Sequence, residues 1–199
     1  LSATLRYPGE EVAVVAAVDE HTAADALALI EVEYEELPFV LDAEKALESD
    51  SPRVRGESNL LPRQPSVYSR GDVEKGLAEA DFVVEQTFRS QVQVHACLET
   101  HASVAQWSGD KLTVWDSTQA VHPVREQLAQ MLSLPISNVR VICQYSGGSF
   151  GSKLWLNKHT VLAALLAQQT GRPVKLALDR EEEAMTMGNR PSNVMTIKA

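Results

Sequence analysis

The chain has 199 residues, with 18 Lys and Arg against 27 Asp and Glu, a formal charge of −9. That deficit of cations argues against a protein that coats nucleic acid, since phosphate binding needs an excess of Lys and Arg. Apolar residues make up 44% and charged residues 23%, the composition of one or two globular domains and not of a disordered chain. No window reaches the roughly 18 uninterrupted apolar residues of a membrane span, and no basic-then-apolar leader opens the chain, so a cytoplasmic protein without a membrane partner is expected. The first residue is Leu1 and not Met, and a strand-like run begins within a dozen residues, which suggests a piece of something longer. Cys97 and Cys143 stand far apart with no C-x-x-C pair. This excludes a disulfide framework and a four-cysteine zinc site, and leaves two reduced, mostly buried thiols as the expectation.

Val12 to Val18 reads as a strand ending at Asp19, and Thr22 as the cap of a helix with Asp25 as its box partner. Ala23, Ala26, Leu27 and Ile30 supply that helix's apolar stripe. Ile30 to Tyr34 alternates with period two, predicting a strand stopped by Pro38, and Asp42 to Leu47 predicts one short helix. From Ser49 to Arg70 periodicity is lost among Pro52, Pro62 and Pro65. Such a stretch predicts a linker at 51–70 between a first domain, 1–50, and a second, 71–199.

In the second segment a short helix, Asp72 to Ala80, leads to a long strand from Phe82. Val104–Trp107 and Leu112–Trp115 flank a Ser-Gly-Asp-Lys turn and predict a hairpin. His122-Pro123 opens a helix with Val124, Leu128, Met131 and Leu132 along one stripe. Val139–Cys143 is a predicted strand running into the glycine loop Ser146–Lys153. Lys158–Thr170 is a predicted helix stopped by Gly171 and Pro173, and Val174, Leu176 and Leu178 mark a last strand before the acidic run Glu181–Glu183. Interleaved strands and helices predict an α/β (α+β) fold with mixed sheets and flanking helices.

Three constellations could carry chemistry. The glycine loop presents backbone N–H groups suited to an anionic or strongly polar ligand. It matches neither the P-loop nor the dinucleotide fingerprint, and a tight turn needing positive φ is equally consistent. If the Phe82 strand continues, Gln93, His95, Cys97, Glu99 and His101 share one face, a donor set that zinc accepts. Alternate residues on a strand lie roughly 7 Å apart, however, so a hydrogen-bonded polar face is preferred to a metal site. Ser117-Thr118-Gln119 reads, from the residues alone, as helix-entry chemistry. His21, His122 and His159 read as isolated structural or surface residues, and no G-x-S-x-G anchors a hydrolase triad.

Several segments in order then carry a resemblance: EVAVVAAVDEHTAADALALIEVEYEELP from Glu11, GDVEKGLAEADFVVE from Gly71, QVHACLETH from Gln93, STQAVHPVREQLAQMLSLP from Ser117, GGSFGSK from Gly147 and GRPVKLALDREE from Gly171. Together they resemble the large, molybdenum-binding subunit of the xanthine dehydrogenase/aldehyde oxidase family of molybdenum hydroxylases. The resemblance implies that 1–50 is the C-terminal part of a small α/β hammerhead domain and 71–199 the N-terminal part of a molybdopterin-binding domain. It implies a molybdopterin cofactor whose metal is held by its dithiolene and not by protein side chains. Gly147, Gly148, Ser149, Phe150 and Gly151 would then meet the cofactor, and Gln119 would match the glutamine whose amide hydrogen-bonds to a molybdenum oxo ligand, reversing the helix-entry reading. Two family glycines are Ser149 and Ser152 here. Leu154 stands where purine-oxidising members carry a glutamate, which implies an aldehyde, aromatic heterocycle or aromatic acyl-type substrate and not a purine. Iron–sulfur and flavin (FAD) subunits or domains, and an oligomeric parent, are implied as partners. The family's general base has no match within 1–199, so no catalytic residue is assigned and the chain alone is expected to be inactive. Two alternatives stay open: a non-catalytic binding or assembly module of the same fold, and a small zinc protein built on Gln93–His101.

Overall fold

A computed structural model describes residues 2–54, 56–61 and 65–199. Among the described residues the order is α1 (Glu20–Ala28), α2 (Val73–Ala78), β1 (Glu85–Ser90), β2 (Ala102–Ser108), β3 (Lys111–Asp116), α3 (Val121–Met131), β4 (Val139–Ile142), α4 (Lys158–Thr170), β5 (Val174–Ala177), α5 (Arg180–Thr186) and β6 (Asn193–Lys198). Single 3-10 turns occur at Lys45–Leu47 and Ile136–Asn138. The fold is mixed α/β, as expected. Contacts divide the chain into two units, one of residues 1–28 and 89–193 and another of residues 29–88 and 194–199.

The first unit is built on a four-stranded sheet of order β4-β3-β2-β5. β2 and β3 form the predicted hairpin, pairing Ser103 with Asp116 and Ala105 with Val114. Its turn holds Gly109 at φ +60°, where a side chain would be strained. β4 lies parallel to β3, with Leu112 opposite Val139 and Val114 opposite Val141, and α3 lies within the long crossover that a parallel pair requires. These residues, with Ala105, form one apolar row on which α3 places Val124, Leu128 and Ala129, and α4 places Ala163, Ala164 and Ala167. The alanines let α4 approach closely, and its Ala164 carbonyl accepts from Trp107 Nε1 at 2.9 Å. Of the stripe predicted for α3, Val124 and Leu128 are buried, whereas Met131 is exposed at the helix end. Gly171, at φ +64°, ends α4 where predicted.

Before α1, residues 12–18 have no ladder partner among the described residues and form no strand. Thr22 is not the cap: its N–H donates to Asp19 Oδ1 at 2.8 Å, so the helix begins three residues nearer the N-terminus, under an Asp carboxylate. Lys158 of α4 pairs with Glu11 at 2.5 Å and reaches the Tyr7 hydroxyl at 3.4 Å.

In the second unit, the alternating run at 30–34 likewise forms no strand. Apolar alternation prepares a face, but a strand forms only where backbone N–H and C=O groups meet a partner. Asp42 Oδ1 accepts the Lys45 N–H at 2.9 Å, ahead of the Lys45–Leu47 turn, and Asp72 caps α2 through the Lys75 N–H at 3.0 Å. Asn59 ties the irregular stretch together, donating to Ala46 O and Pro52 O while accepting from the Val54 N–H. Arg55 and 62–64 of the expected linker lie outside the described residues. β1 and β6 form a two-stranded sheet, with Thr87 and Thr196 hydroxyls 3.0 Å apart; no sequence pattern pointed to β6.

Candidate functional site

The polar run after β1 does not continue as a strand. Gln93 makes one bridge, to Arg190, and then Ala96 takes φ +49°. A left-handed residue turns the chain and breaks the two-residue alternation on which the shared face depended. Arg180 secures this turn from α5, donating to Cys97 O at 2.6 Å and Leu98 O at 2.9 Å. α5 is placed by a complete capping box, Asp179 with Glu182.

The polar side chains therefore go to separate places. Cys97 is buried beneath Gly148. Glu99 turns to the glycine loop, where its Oε2 accepts the Gly147 N–H at 2.8 Å while its own N–H donates to Gly147 O at 3.2 Å. His101 is fully buried and meets Glu183, whose Oε2 lies 2.8 Å from Nδ1 and accepts the His101 backbone N–H at 2.8 Å. No cluster of three or more metal-ligating side chains is present among the described residues.

The glycine loop leaves β4 at Ile142 and returns the chain to α4. Gly147 is there because a Cβ would stand 2.5 Å from Glu99 Cβ. Gly148, at φ +103°, lies beneath the Phe150 ring, 3.2 Å from where its Cβ would be. Phe150 itself is left-handed, at φ +48°, and 76% exposed. A bulky residue held in that region is strained, and with Phe150 so exposed its ring's contact with Gly148 offsets little of that cost. Ser149 and Ser152 are not among the left-handed residues, so serine fits the backbone at both positions, where the resemblance implied glycine. They close the loop's own turn, Ser152 N–H and Oγ both donating to Ser149 O.

Gln119 meets this loop from the segment after β3. Its Oε1 accepts the Gly151 N–H at 3.1 Å, and its backbone N–H donates to Lys153 O at 3.1 Å. Thr118 Oγ1 also donates to Lys153 O, at 2.9 Å. Among the described residues, the N–H groups of Gly148, Ser149 and Phe150 have no acceptor within the chain. Successive amides in a left-handed turn form an anion-binding concavity. Leu154, one residue beyond, is 37% exposed. Thus Gln119 and Gly147–Gly151, chosen from sequence, meet in space, with Leu154 alongside in the chain.

Other groups under the site were not singled out from the sequence. Asp116, at the end of β3, accepts from the Ser103 and Thr160 hydroxyls. Burial pushes its carboxyl above the usual range, against the lowering effect of those hydroxyls. His159 is 3% exposed, not a surface residue, and burial with the nearby His101 and Lys153 charges depresses it to about 3. Its ring stands edge-on to His101, centroids 5.5 Å apart. Spacing was the one available signal: on α4, His159 shares a face with Ala163 and Ala167, which pack on the sheet.

A mixed sheet whose parallel strand β4 opens into this glycine loop, met by Gln119 from the segment after β3, is the frame of the site. The chain belongs to the molybdopterin cofactor-binding domain family, whose model matches residues 57–199. It is 38% identical over 195 residues to the nicotinate dehydrogenase large molybdopterin subunit of Eubacterium barkeri, covering 98% of this chain and 45% of that protein. It is 37% identical over 183 residues to the xanthine dehydrogenase molybdenum-binding subunit of Escherichia coli O157:H7, covering 92% of this chain and 24% of that protein. Among solved structures, reconstituted CO dehydrogenase from Oligotropha carboxidovorans superposes with a TM-score of 0.80 at 30% identity, over 90% of this chain and 24% of that one. The chain thus spans about a quarter to under half the length of these relatives. The resemblance seen in the ordered segments is met, and the names of these relatives include both purine and non-purine substrates.

Proposed function

We propose that this chain supplies one wall of the cofactor site in a molybdenum-dependent oxidoreductase subunit of the xanthine dehydrogenase/aldehyde oxidase type. The observation that carries this reading is the Gln119 carboxamide held by the Gly151 N–H at 3.1 Å beside the loop. The site suits the group: it offers main-chain N–H donors and one neutral amide, and no charged side chain among those that meet the Gly148–Phe150 amides. Molybdopterin, once bound, supplies two-electron redox chemistry at its own metal.

The chain's residues bind and orient. With its oxygen committed to Gly151, Gln119 keeps its NH2 group to donate to the cofactor's polar edge, and a neutral donor adds no charge that would shift the metal's potential. The N–H groups of Gly148, Ser149 and Phe150 would take oxygens of the same group, and the exposed Phe150 ring would cover it. Leu154 would face substrate with an apolar surface, which supports an aldehyde, aromatic heterocycle or aromatic acyl-type molecule over a purine. Electrons would leave through iron–sulfur and flavin subunits or domains of an oligomeric, cytoplasmic parent. Among the described residues no helix is long and apolar enough to cross a membrane.

The test is metal and pterin analysis of the full-length subunit purified with its partner chains, followed by turnover on a substrate panel. One molybdenum and one pterin per subunit are expected, with aldehydes or aromatics oxidised and xanthine not. Gln119→Ala should retain the metal yet lose roughly 10–100-fold in kcat. A folded subunit free of molybdenum refutes the cofactor reading and favours a binding or assembly module. Rapid xanthine turnover refutes the role given to Leu154.

A further inference from the structure

Lys153 is 0% exposed, and a wholly buried ammonium is costly unless each N–H finds an acceptor. All three do: Glu99 O at 3.0 Å, Glu99 Oε2 at 3.0 Å and Ser117 Oγ at 2.6 Å. Ser117 in turn donates its hydroxyl to Glu99 Oε2 at 2.9 Å. One carboxylate oxygen thus collects Lys153, Ser117 and the Gly147 N–H, 2.8 Å away. Burial raises the Glu99 carboxyl, but the Gly147 N–H, Lys153 and Ser117 outweigh it and hold it below its ordinary range.

The connectivity matters more than the charge. Glu99 grips the start of the loop at Gly147, while Lys153 forms its end and offers its carbonyl to Thr118 Oγ1 and the Gln119 N–H. The ion pair therefore closes the loop on itself and fixes where Gln119 stands. An apolar side chain in place of Lys153 could fill the same volume without the desolvation penalty that its buried ammonium carries against the half-buried Glu99. It could not donate to Glu99, which accepts from Gly147, or to Ser117, beside Thr118 and Gln119.

We propose that the Glu99–Lys153 ion pair positions the glycine loop against Gln119, setting the geometry of the cofactor-facing wall without touching the cofactor. The inference rests on the loop being the cofactor site, as proposed above. Both residues are positioning residues; the groups that meet the cofactor are the loop amides and the Gln119 carboxamide.

The experiment uses the full-length subunit with its partner chains, as wild type, Lys153→Met, Glu99→Gln, and Leu112→Ala as a core control remote from the loop. Three quantities are read: molybdenum retained per folded subunit after dialysis, amide exchange of residues 147–153 in cofactor-free protein, and kcat against KM in the loaded fraction. Lys153→Met should weaken cofactor retention about 10–100-fold, speed exchange at Gly147 and Gly151, and lower kcat with KM near wild type. Glu99→Gln, whose amide oxygen still accepts from Gly147, should fall between. Leu112→Ala should lower the melting temperature and leave loop exchange and retention unchanged. Wild-type retention and exchange in Lys153→Met overturns the proposal, as does an equal effect from Leu112→Ala. If Lys153→Met does not fold, Glu99→Gln decides: a loosened loop supports the positioning role and an unchanged one overturns it. A wild type without molybdenum overturns the cofactor reading, whereas loop exchange in that same protein still decides whether the pair holds the loop.

Discussion

Replacing Gly147 by Ala should loosen the loop without a backbone penalty of its own, because Gly147 is not among the left-handed glycines. The added Cβ would stand 2.5 Å from Glu99 Cβ and 3.4 Å from Glu99 N. Packed carbons sit about 3.5–4.0 Å apart, so the loop or Glu99 must yield by roughly 1 Å. Two hydrogen bonds join these residues, at 3.2 Å and 2.8 Å, and a displacement of that size breaks the longer and stretches the shorter. The neutral bond is worth about 1 kcal/mol and the charge-assisted one about 1.5–3 kcal/mol. The reduced freedom of the unfolded chain returns about 0.4–1 kcal/mol. The net local cost is about 2–3 kcal/mol, or roughly 30- to 150-fold in the opening equilibrium. Native-state hydrogen exchange on the full-length protein reads it directly. Amides of Glu99, Gly151 and Gln119 should speed by that factor, while those of the β2–β3 hairpin hold their rates. Unchanged exchange at Glu99 and Gly151 would refute the close approach, and equal acceleration in the hairpin would show a global effect and refute a local one.

His159 gives a pH dependence of defined sign. Its folded value of about 3 lies below the ordinary value of 6.5, so its contribution is full above pH 6.5 and is lost as pH falls toward 3. The slope in that window is about 1.4 kcal/mol per pH unit, and denaturant titrations of wild type and His159→Leu should differ by it; parallel curves would refute neutral burial. Glu183→Ala should cost about 2–4 kcal/mol, since the His101 ring and backbone N–H both lose their acceptor. Urea unfolding measures that loss, and a change below about 0.5 kcal/mol, the range of ordinary surface substitutions, would contradict the buried pairing.

What was legible in the sequence was local. The β2–β3 hairpin carries its own turn residues, and α4 carries an apolar face and a Gly171 stop, so neighbours alone specify them. Residues 12–18 and 30–34 show the limit: the first is an apolar run and the second alternates, but a ladder needs a partner strand, which no local pattern reports. The Gln93–His101 face failed differently, through one left-handed residue at Ala96 that period counting cannot see. Sequence pointed to the loop and, through the resemblance, to Gln119, and the two meet. Glu99–Lys153 and His101–Glu183 were not legible, because the partners stand 54 and 82 positions apart. Their pairing arises only once the fold places those positions together.

The central claim is that Gln119 and the Gly147–Gly151 loop face a molybdenum cofactor. Anomalous diffraction at the molybdenum edge, from crystals of the full-length holo-subunit, tests it most directly. The account predicts a single strong peak beside the loop, with the Gln119 amide in hydrogen-bonding reach of an atom bound to the metal. A molybdenum peak elsewhere in the subunit, with Gln119 facing only solvent, would contradict it.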